Sequence, residues 1–275
     1  MESRSAHISH LHPHPVGDLL RGWRNRRAMS QADLAFEAGI SIKHLSHVET
    51  GKAAGSREVL LQLAAALSLS LRDRNALLEA GGFARQYGER DLSAPEIADA
   101  KRAINLLLRR HEPFPAIVTD RQWQVLQANR AATRLITLML GAERMRRPLN
   151  HMRMFLAADE LRPFVENWNS LAAALMARAR HEAMAAPLDL ALQSTWRALL
   201  ELPDVAPPHL NEREAPGPLC ELRLRKGDLA IGLIGAVLTL GTPQDVTLQE
   251  LRVEMFMPAD ADSEAALVAL ADQDF

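Results

Sequence analysis

Short amphipathic runs predict five helices between residues 16 and 80. In the first run, Leu19, Leu20 and Trp23 share one helical face, with arginines around the other sides. Three of the later apolar stripes each follow a serine, the residue type that caps a helix: Ser30, Ser41 and Ser56. A last run, residues 72–80, ends at a Gly-Gly pair. The N-terminal part is therefore expected to be all-α.

Beyond residue 110 the pattern changes to a mixture of alternating and helical periods. The predicted strands are residues 114–120 and 123–128 as a hairpin, 219–225, 229–240 as a central strand, and 247–257. The predicted helices are a run capped by Asn129, residues 161–185, residues 188–200, and an acidic run after Pro258. The fold class that follows is α+β and multidomain, with an all-α N-terminal domain and a C-terminal α/β domain containing an antiparallel sheet.

These patterns divide the chain into four parts. We predict a flexible tail (1–15), a helical domain (16–82), a linker helix (83–110) and the α/β domain (111–275). The tail carries closely spaced histidines that can hold a stray metal ion, namely His7, His10, His12 and His14. Since no cysteine and only one carboxylate lie near them, a solvated tail without a metal site is expected.

Composition excludes several classes of protein. Of the 275 residues 48 % are hydrophobic and 24 % charged, which is typical of a globular chain. The only cysteine, Cys220, excludes a disulfide framework. The longest apolar run has 12 residues, fewer than the roughly 20 of a membrane helix, and no signal peptide opens the chain. A cytoplasmic protein without a membrane partner is expected.

Charge and motifs favour binding over catalysis. Residues 1–90 hold 12 Lys and Arg against 9 Asp and Glu, whereas the remainder holds 20 against 25, so only the first part is suited to nucleic acid. The sequence contains no His-Glu-x-x-His, no Walker glycine loop and no Gly-x-Ser-x-Gly elbow. Cys220 is predicted to face inward on a strand, as an inert thiol does. We therefore expect no enzyme, no catalytic residue and no cofactor.

Residues 30–51 form the most informative motif, because they encode a helix, a tight glycine turn and a second helix. This geometry lets the second helix enter the roughly 12 Å major groove of DNA while the first crosses the phosphate backbone. The spacing alone is equally consistent with an ordinary αα-hairpin.

The same segment resembles the Xre/Cro-type helix-turn-helix family over about residues 18–70. The family's motifs are matched by Met29-Ser-Gln-Ala-Asp-Leu-Ala35, Gly39-Ile-Ser-Ile-Lys-His-Leu-Ser46 and Val48-Glu-Thr-Gly51, although Gly55 stands where the family usually has proline. The resemblance implies DNA contacts by Gln31, Ser41, Ile42, Lys43, His44, Ser46, His47, Lys52 and Arg57. Of these, Gln31, Lys52 and Arg57 would contact phosphates, Lys43 and His44 guanine, and Ile42 a thymine methyl group. It also implies a structural ion pair between Arg24 and Glu49.

Residues 123–132 resemble the opening of a PAS-type domain. Two further segments, Asn167-Trp168 and residues 240–252, resemble the PAS-like, MltR-type ligand-binding domain of MmyB-like transcriptional regulators. The resemblance implies a pocket for a small, fatty-acid-like molecule, which we place between the sheet and the helices of residues 161–200. The candidate pocket residues are Arg153, Phe155, Phe164, Trp168, Met176, Trp196 and Met255. Each apolar one also suits an ordinary core, and Arg153 can either hold a carboxylate head group or pair with Asp159 or Glu160.

Together these features predict a sequence-specific DNA-binding transcriptional regulator. Its partners would be a double-stranded DNA operator, a second copy of itself in a homodimer, and a small apolar ligand. The alternative is a DNA-binding regulator whose C-terminal domain only dimerises and binds no ligand.

Overall fold

The computed structural model describes residues 15–205 and 220–272, and these fall into two compact units. The first unit contains the N-terminal residues to Arg90 together with residues 243–249, and the second contains the rest. Two boundaries differ from the predicted ones. Residues 83–90 belong to the first unit and not to a linker, and residues 243–249 leave the α/β part of the sequence to join it. The predicted tail lies outside the described residues except for Pro15, which begins the first helix.

The first unit is built from five helices around one apolar core. They are α1 (Pro15–Arg26), α2 (Gln31–Glu37), α3 (Ile42–Glu49), α4 (Arg57–Ala66) and α5 (Leu71–Ala80). The core centres on Trp23, Leu20, Leu34, Leu45 and Leu63, all of which are fully buried. The helical pattern of the sequence is thus confirmed, because the apolar stripes that predicted these helices are the faces that pack together.

Local chemistry sets the ends of α2 and α3. The Ser30 hydroxyl accepts from the Asp33 amide at 3.1 Å while the Asp33 carboxylate accepts from the Ser30 amide at 2.8 Å, which is a capping box. The turn between the two helices contains Gly39 at φ +66°, a conformation that favours glycine. Gly17 on α1 is required for another reason: a Cβ there would lie 2.1 Å from the carbonyl oxygen of Glu49.

The buried side chain of Asn75, on α5, binds residues 83–90 through hydrogen bonds. The Asn75 carbonyl oxygen accepts from the backbone amides of Gln86 and Tyr87 at 3.0 and 3.1 Å. Its amide nitrogen donates to the Tyr87 carbonyl at 2.8 Å. Because all three bonds are made to main-chain groups, they fix the path of the backbone after α5.

Residues 243–249 complete the first unit. Asp245 pairs with Arg90 at 2.9 Å and is itself buried, and the Val246 amide donates to the carbonyl of Gly88 at 2.8 Å. A segment that is distant in sequence therefore covers the end of the N-terminal domain.

The second unit is an antiparallel sheet with helices, as the fold class predicted. Its elements are α6 (Ala98–Arg110), β1 (Ala116–Thr119), β2 (Val125–Ala128), α7 (Arg130–Leu140), α8 (Ala142–Met145), α9 (His151–Leu156), α10 (Trp168–Ala185), α11 (Leu190–Leu200), β3 (Glu221–Lys226), β4 (Leu229–Leu238), β5 (Arg252–Pro258) and α13 (Ala261–Ala271). Between β4 and β5 the chain forms α12 (Val246–Glu250), which belongs to the first unit except for its last residue. The described strands lie in the order β2-β1-β5-β4-β3, and all neighbours run antiparallel. The predicted hairpin is present as β1–β2, and β3 and β4 form a second antiparallel pair.

The predicted central strand is confirmed, since β4 lies inside the sheet, paired with β5 on one side and β3 on the other. One detail of the sheet differs from the sequence prediction. The predicted strand 247–257 is interrupted, since its first residues form α12. The Asp245 carboxylate accepts from the Thr247 amide at 2.9 Å, which provides the helix start that the alternating pattern concealed.

Two apolar clusters stabilise this unit. One joins the sheet to α7, α9 and α13, and includes Leu224, Leu233 and Phe155. The other lies around α10 and α11, and includes Met176 and Leu192. The methionine- and aromatic-rich segments are thus divided between two cores.

Candidate functional sites

A buried ion cluster ties together the first three helices. Glu49, at the end of α3, is 2 % exposed and accepts from Arg24 at 2.7 and 3.1 Å. Gln31, the first residue of α2, donates its amide to the same carboxylate at 2.7 Å. Arg24 also donates to the Met29 carbonyl at 3.0 Å. Arg24 and Glu49 therefore neutralise each other inside the domain.

Electrostatics in this cluster keep Glu49 ionised. Burial by itself raises the pKa of Glu49, but the hydrogen bonds from Arg24 and Gln31 outweigh it and hold the pKa below its ordinary value. The hydrogen bond to Glu49 raises the pKa of Arg24 above its ordinary value. The pair is thus a stable salt bridge at neutral pH.

Helix α3 presents a mixed polar and apolar face outward. Ile42 is 52 % exposed, Lys43 is exposed and His44 is half-buried, whereas Leu45 and Val48 are buried against the core. The remaining predicted contacts on this helix are Ser46 and His47, both half-buried. Ser41 caps the helix by accepting from the His44 amide at 3.1 Å. One helix face therefore carries the residues that the family resemblance assigns to base recognition.

The predicted phosphate contacts differ in exposure. Lys52 is exposed just beyond α3, and Arg57 is exposed at the first position of α4, where it donates to the Gln86 side chain at 2.9 Å. Gln31 is half-buried, and one of its two amide hydrogens is committed to Glu49.

The second unit contains an apolar cavity of about 30 Å³. It lies between the sheet and helices α7 and α9, not against the helices of residues 161–200. Its walls are Pro115, Ile117, Ala132, Leu135, Ile136, Met154, Phe155, Leu161, Leu222, Leu224, Leu233 and Phe256, every one of them apolar. This volume is room for about one water molecule, so a larger guest requires side chains to move.

The structure does not bring the seven candidate pocket residues together. Only Phe155 is part of the cavity wall. Met176 and Trp196 pack in the core around α10 and α11, and Trp168 lies between the two cores. The other members are Phe164, packed in the sheet core, Met255, half-buried on β5, and Arg153.

Arg153 is engaged by a neighbouring carboxylate. It pairs with Asp159 at 2.9 Å, and its side chain is 41 % exposed. Of its two predicted roles, the observed pairing is the salt bridge.

A second ion cluster, which was not predicted, joins α10 to β5; Glu254 is buried in it, whereas the side chains of Arg178 and Glu182 are each 26 % exposed. Arg178 on α10 donates to both oxygens of Glu254 on β5, at 3.1 and 2.5 Å, and to Glu182 at 2.9 Å. The Trp123 indole donates to the other Glu182 oxygen at 3.0 Å. His151, the first residue of α9, is 3 % exposed next to this cluster. The alternating pattern had placed Glu254 on the polar side of its strand, and Arg178 is too far away in sequence to signal the pairing.

Other chemistry is sparse in the described part of the chain. No three His, Cys, Asp or Glu side chains come together there in a way that can hold a metal ion. Cys220 lies just before β3 and is half-buried, and burial raises the pKa of its thiol, with Glu221 adding to the effect. None of the described helices is long and apolar enough to cross a membrane.

Comparison with known proteins identifies two regions of the chain. Residues 100–270 match the family described as "MmyB-like transcription regulator ligand binding domain", and residues 15–77 match the family described as "Helix-turn-helix domain". No curated protein gives a significant match.

Two solved structures show limited similarity. The restriction-modification controller protein C.AhdI from Aeromonas hydrophila is 33 % identical, over 22 % of this chain and 91 % of that one, with a TM-score of 0.21. An RNA-binding light-oxygen-voltage receptor is 12 % identical, over 94 % of this chain and 64 % of that one, with a TM-score of 0.26. Neither TM-score is high enough to assign a fold. The assignment follows from the family matches, since the first of them alone spans more than half of the sequence: the chain belongs to the MmyB-like transcription regulators, with a helix-turn-helix domain ahead of the ligand-binding domain.

Proposed function

We propose that the protein binds a double-stranded DNA operator as a homodimer, and that a small apolar molecule bound in its second unit regulates it. Helix α3 enters the major groove, and the sheet cavity receives the ligand. The observation that carries the DNA-binding part is the outward face of α3. The Glu49 carboxylate is not on this face, because Glu49 is buried and only 2 % exposed.

The composition of this face supports base recognition. Lys43 and His44 can donate to guanine acceptors, and the exposed Ile42 can pack on a thymine methyl group. An exposed carboxylate at the end of the helix would repel phosphate, and Arg24 and Gln31 prevent this by holding Glu49 inside the domain. The contacts by Gln31, Lys52 and Arg57 would set the register on the phosphate backbone.

The homodimer is proposed on energetic grounds. A single helix-turn-helix module buries little surface on DNA, so two copies on half-sites about one helical turn apart supply the missing affinity. Gel filtration of the protein with and without operator DNA tests this, and a monomer in both conditions would contradict it.

The ligand part is supported by the apolar cavity against the sheet. The family resemblance suggests a fatty-acid-like molecule, and Met154, Phe155 and Phe256 are wall residues whose side chains can turn to enlarge the space. The volume of about 30 Å³ favours the alternative in which this domain only dimerises. Mass spectrometry of a lipid extract from the purified protein separates the two.

Substitution of Lys43 tests direct base recognition. We expect Lys43→Ala to weaken operator binding by about 1–3 kcal/mol and to relax the preference at one base pair, because one base-edge contact is lost. Binding to a library of operator variants measures both effects.

A matched control isolates this effect from net charge. Lys101→Ala removes the same charge from an exposed position on α6 and is expected to leave operator preference unchanged. A sequence-blind loss for Lys43→Ala, equal across all operator variants, would assign Lys43 to the phosphate backbone.

A further inference from the structure

We propose that His151 is the polar recognition residue of the sheet cavity, and that the preferred ligand carries an uncharged hydrogen-bonding head group, such as an alcohol or ketone, and not a carboxylate. This inference rests on the ligand-binding function proposed above.

His151 lies on the cavity-facing side of α9. It precedes Met154 and Phe155 by three and four residues, the spacing that places side chains on one helix face, and both of those residues line the cavity. The imidazole meets the Phe155 ring edge-on at 5.5 Å between centroids and the Phe256 ring at 6.1 Å. Since Phe256 is also a wall residue, the imidazole contacts two of the side chains that line the cavity.

The imidazole has an unmet hydrogen bond. Its Nδ1 atom is buried and has no partner among the described residues. Burying a polar nitrogen without a partner is unfavourable, and a ligand group that reaches it removes this cost.

The neighbouring ion cluster does not satisfy His151, because its members satisfy one another. Arg178 uses Nε on Glu182 and both Nη atoms on Glu254, and the second oxygen of Glu182 accepts from the Trp123 indole. With two carboxylates and one guanidinium, this cluster has a net charge of about −1.

These charges disfavour an anionic head group. Every residue that lines the cavity is apolar, and each nitrogen of Arg178 already donates to a carboxylate of the ion cluster. Arg153 pairs with Asp159 through Nη2, and its Nη1 is buried without a partner among the described residues, but Arg153 is not part of the cavity wall. Burial lowers the pKa of His151, an effect that Arg178 reinforces while Glu254 and Glu182 oppose it, so the imidazole is neutral at pH 7. A buried carboxylate would therefore lack a cation, whereas a neutral hydroxyl or carbonyl needs only one hydrogen bond.

Access requires wall side chains to move, because the cavity of about 30 Å³ has room for about one water molecule. Rotation of the Phe155 or Phe256 ring would connect the cavity to Nδ1 of His151. The alkyl part of the ligand would then occupy the space between the sheet and α7, with its polar end at the start of α9.

The test compares ligands that differ only in their polar end. Full-length protein, freed of lipid, is titrated at pH 7.5 with 1-decanol, 2-decanone and decanoate by calorimetry. The neutral compounds are expected to bind about tenfold more tightly than decanoate. His151→Phe keeps a ring against Phe155 and Phe256, and it is expected to remove that preference. The control Met154→Leu alters the wall without altering the hydrogen bond, and should retain it.

A measurement on the unaltered protein covers the case in which His151→Phe fails to fold. The imidazole ¹⁵N resonances of His151 should shift with 1-decanol and stay in place with decanoate. If all three compounds bind equally and His151→Phe changes nothing, the inference is overturned while the ligand-binding function stands. If none of them binds, both are overturned.

Discussion

The carboxylate of Glu49 lies at the end of the helix that we propose to enter DNA, where a free negative charge would be harmful. Arg24 and Gln31 hold it inside the domain, and three hydrogen bonds offset the cost of its desolvation. The same three side chains connect α1, α2 and α3, so a single cluster serves both electrostatics and stability.

Removing Arg24 should therefore damage folding more than DNA contact. Arg24→Ala leaves the buried Glu49 without its main partner. Breaking a fully buried pair lowers the free energy of unfolding by about 3–5 kcal/mol, and we expect a loss near the lower end of this range because the Arg24 side chain is 11 % exposed. The apolar pair Arg24→Met with Glu49→Leu should restore much of this stability. Urea unfolding followed by Trp23 fluorescence provides the measurement, in a background where the other three tryptophans are replaced by phenylalanine.

The pH dependence of stability tests the contribution of Glu49 to the same cluster. Glu49 has a folded-state pKa below its unfolded one, so its contribution is complete above the unfolded pKa of about 4.3 and is lost as the pH falls through the folded value. The stability difference between wild type and Arg24→Ala should therefore shrink in acid. Arg24→Ala unfolding like wild type but failing to bind DNA would instead make Arg24 a phosphate contact.

An ion pair can be predicted from sequence where the pattern of a known family includes both of its residues. The Arg24–Glu49 pairing was implied by resemblance, and the two residues meet in the structure. Arg178 and Glu254 are 76 positions apart, and β5 alternates in a way that puts Glu254 on a polar face. Such a pairing depends on how α10 packs against the sheet, which no local pattern encodes.

At the scale of an element, α3 depends on its cap as well as on its packed face. The Ser41 hydroxyl accepts from the His44 amide at 3.1 Å, and α3 has only eight residues over which to share the cost of an uncapped end. Ser41→Ala is expected to lower the stability of the first unit by about 1 kcal/mol and to weaken operator binding, because α3 frays at its N-terminus.

Two related substitutions separate capping from DNA contact. Ser56→Ala removes the equivalent cap of α4, a bond of 3.3 Å, and should lower stability similarly with less effect on operator binding. Ser41→Asp retains a cap but places a negative charge near phosphate, so stability should persist while binding falls. Thermal unfolding and fluorescence anisotropy report the two properties, and unchanged binding for Ser41→Asp would remove Ser41 from the interface.

Elements fixed by local chemistry are the ones that sequence predicts well. Serine caps and the Gly39 turn define α2 and α3 within a few residues, and their bounds were anticipated. The position of the cavity was not anticipated, because it depends on which helices reach the sheet: α7 and α9 line it, whereas α10 and α11 build a separate core. The prediction of a strand over residues 247–257 was wrong at its start. The Asp245 side chain begins a helix there, and the alternating pattern of the sequence does not reveal this.

At the scale of the whole molecule, the chain passes between the two units three times. Besides the passage after Arg90, it enters the first unit at residue 243 and leaves it after residue 249. These seven residues connect β4 to β5, yet they bind the end of the helix-turn-helix domain through Asp245 and Arg90. Gln249 adds a further tie, since its side-chain oxygen accepts from the first amide of α5, at Leu71, at 2.7 Å.

The helix-turn-helix domain should therefore be less stable as an isolated fragment than in the full chain. A fragment of residues 1–90 lacks the partners of Arg90, Gly88 and the Leu71 amide, and we expect it to lose about 1–3 kcal/mol. Hydrogen exchange should show this loss in α5 and residues 83–90 before it appears in α2 and α3. The full chain with Asp245→Ala and Gln249→Ala should reproduce it, whereas Asp262→Ala, at an exposed aspartate on α13, should not. Equal protection of α5 in the fragment and the full chain would mean that residues 243–249 do not stabilise the helix-turn-helix domain.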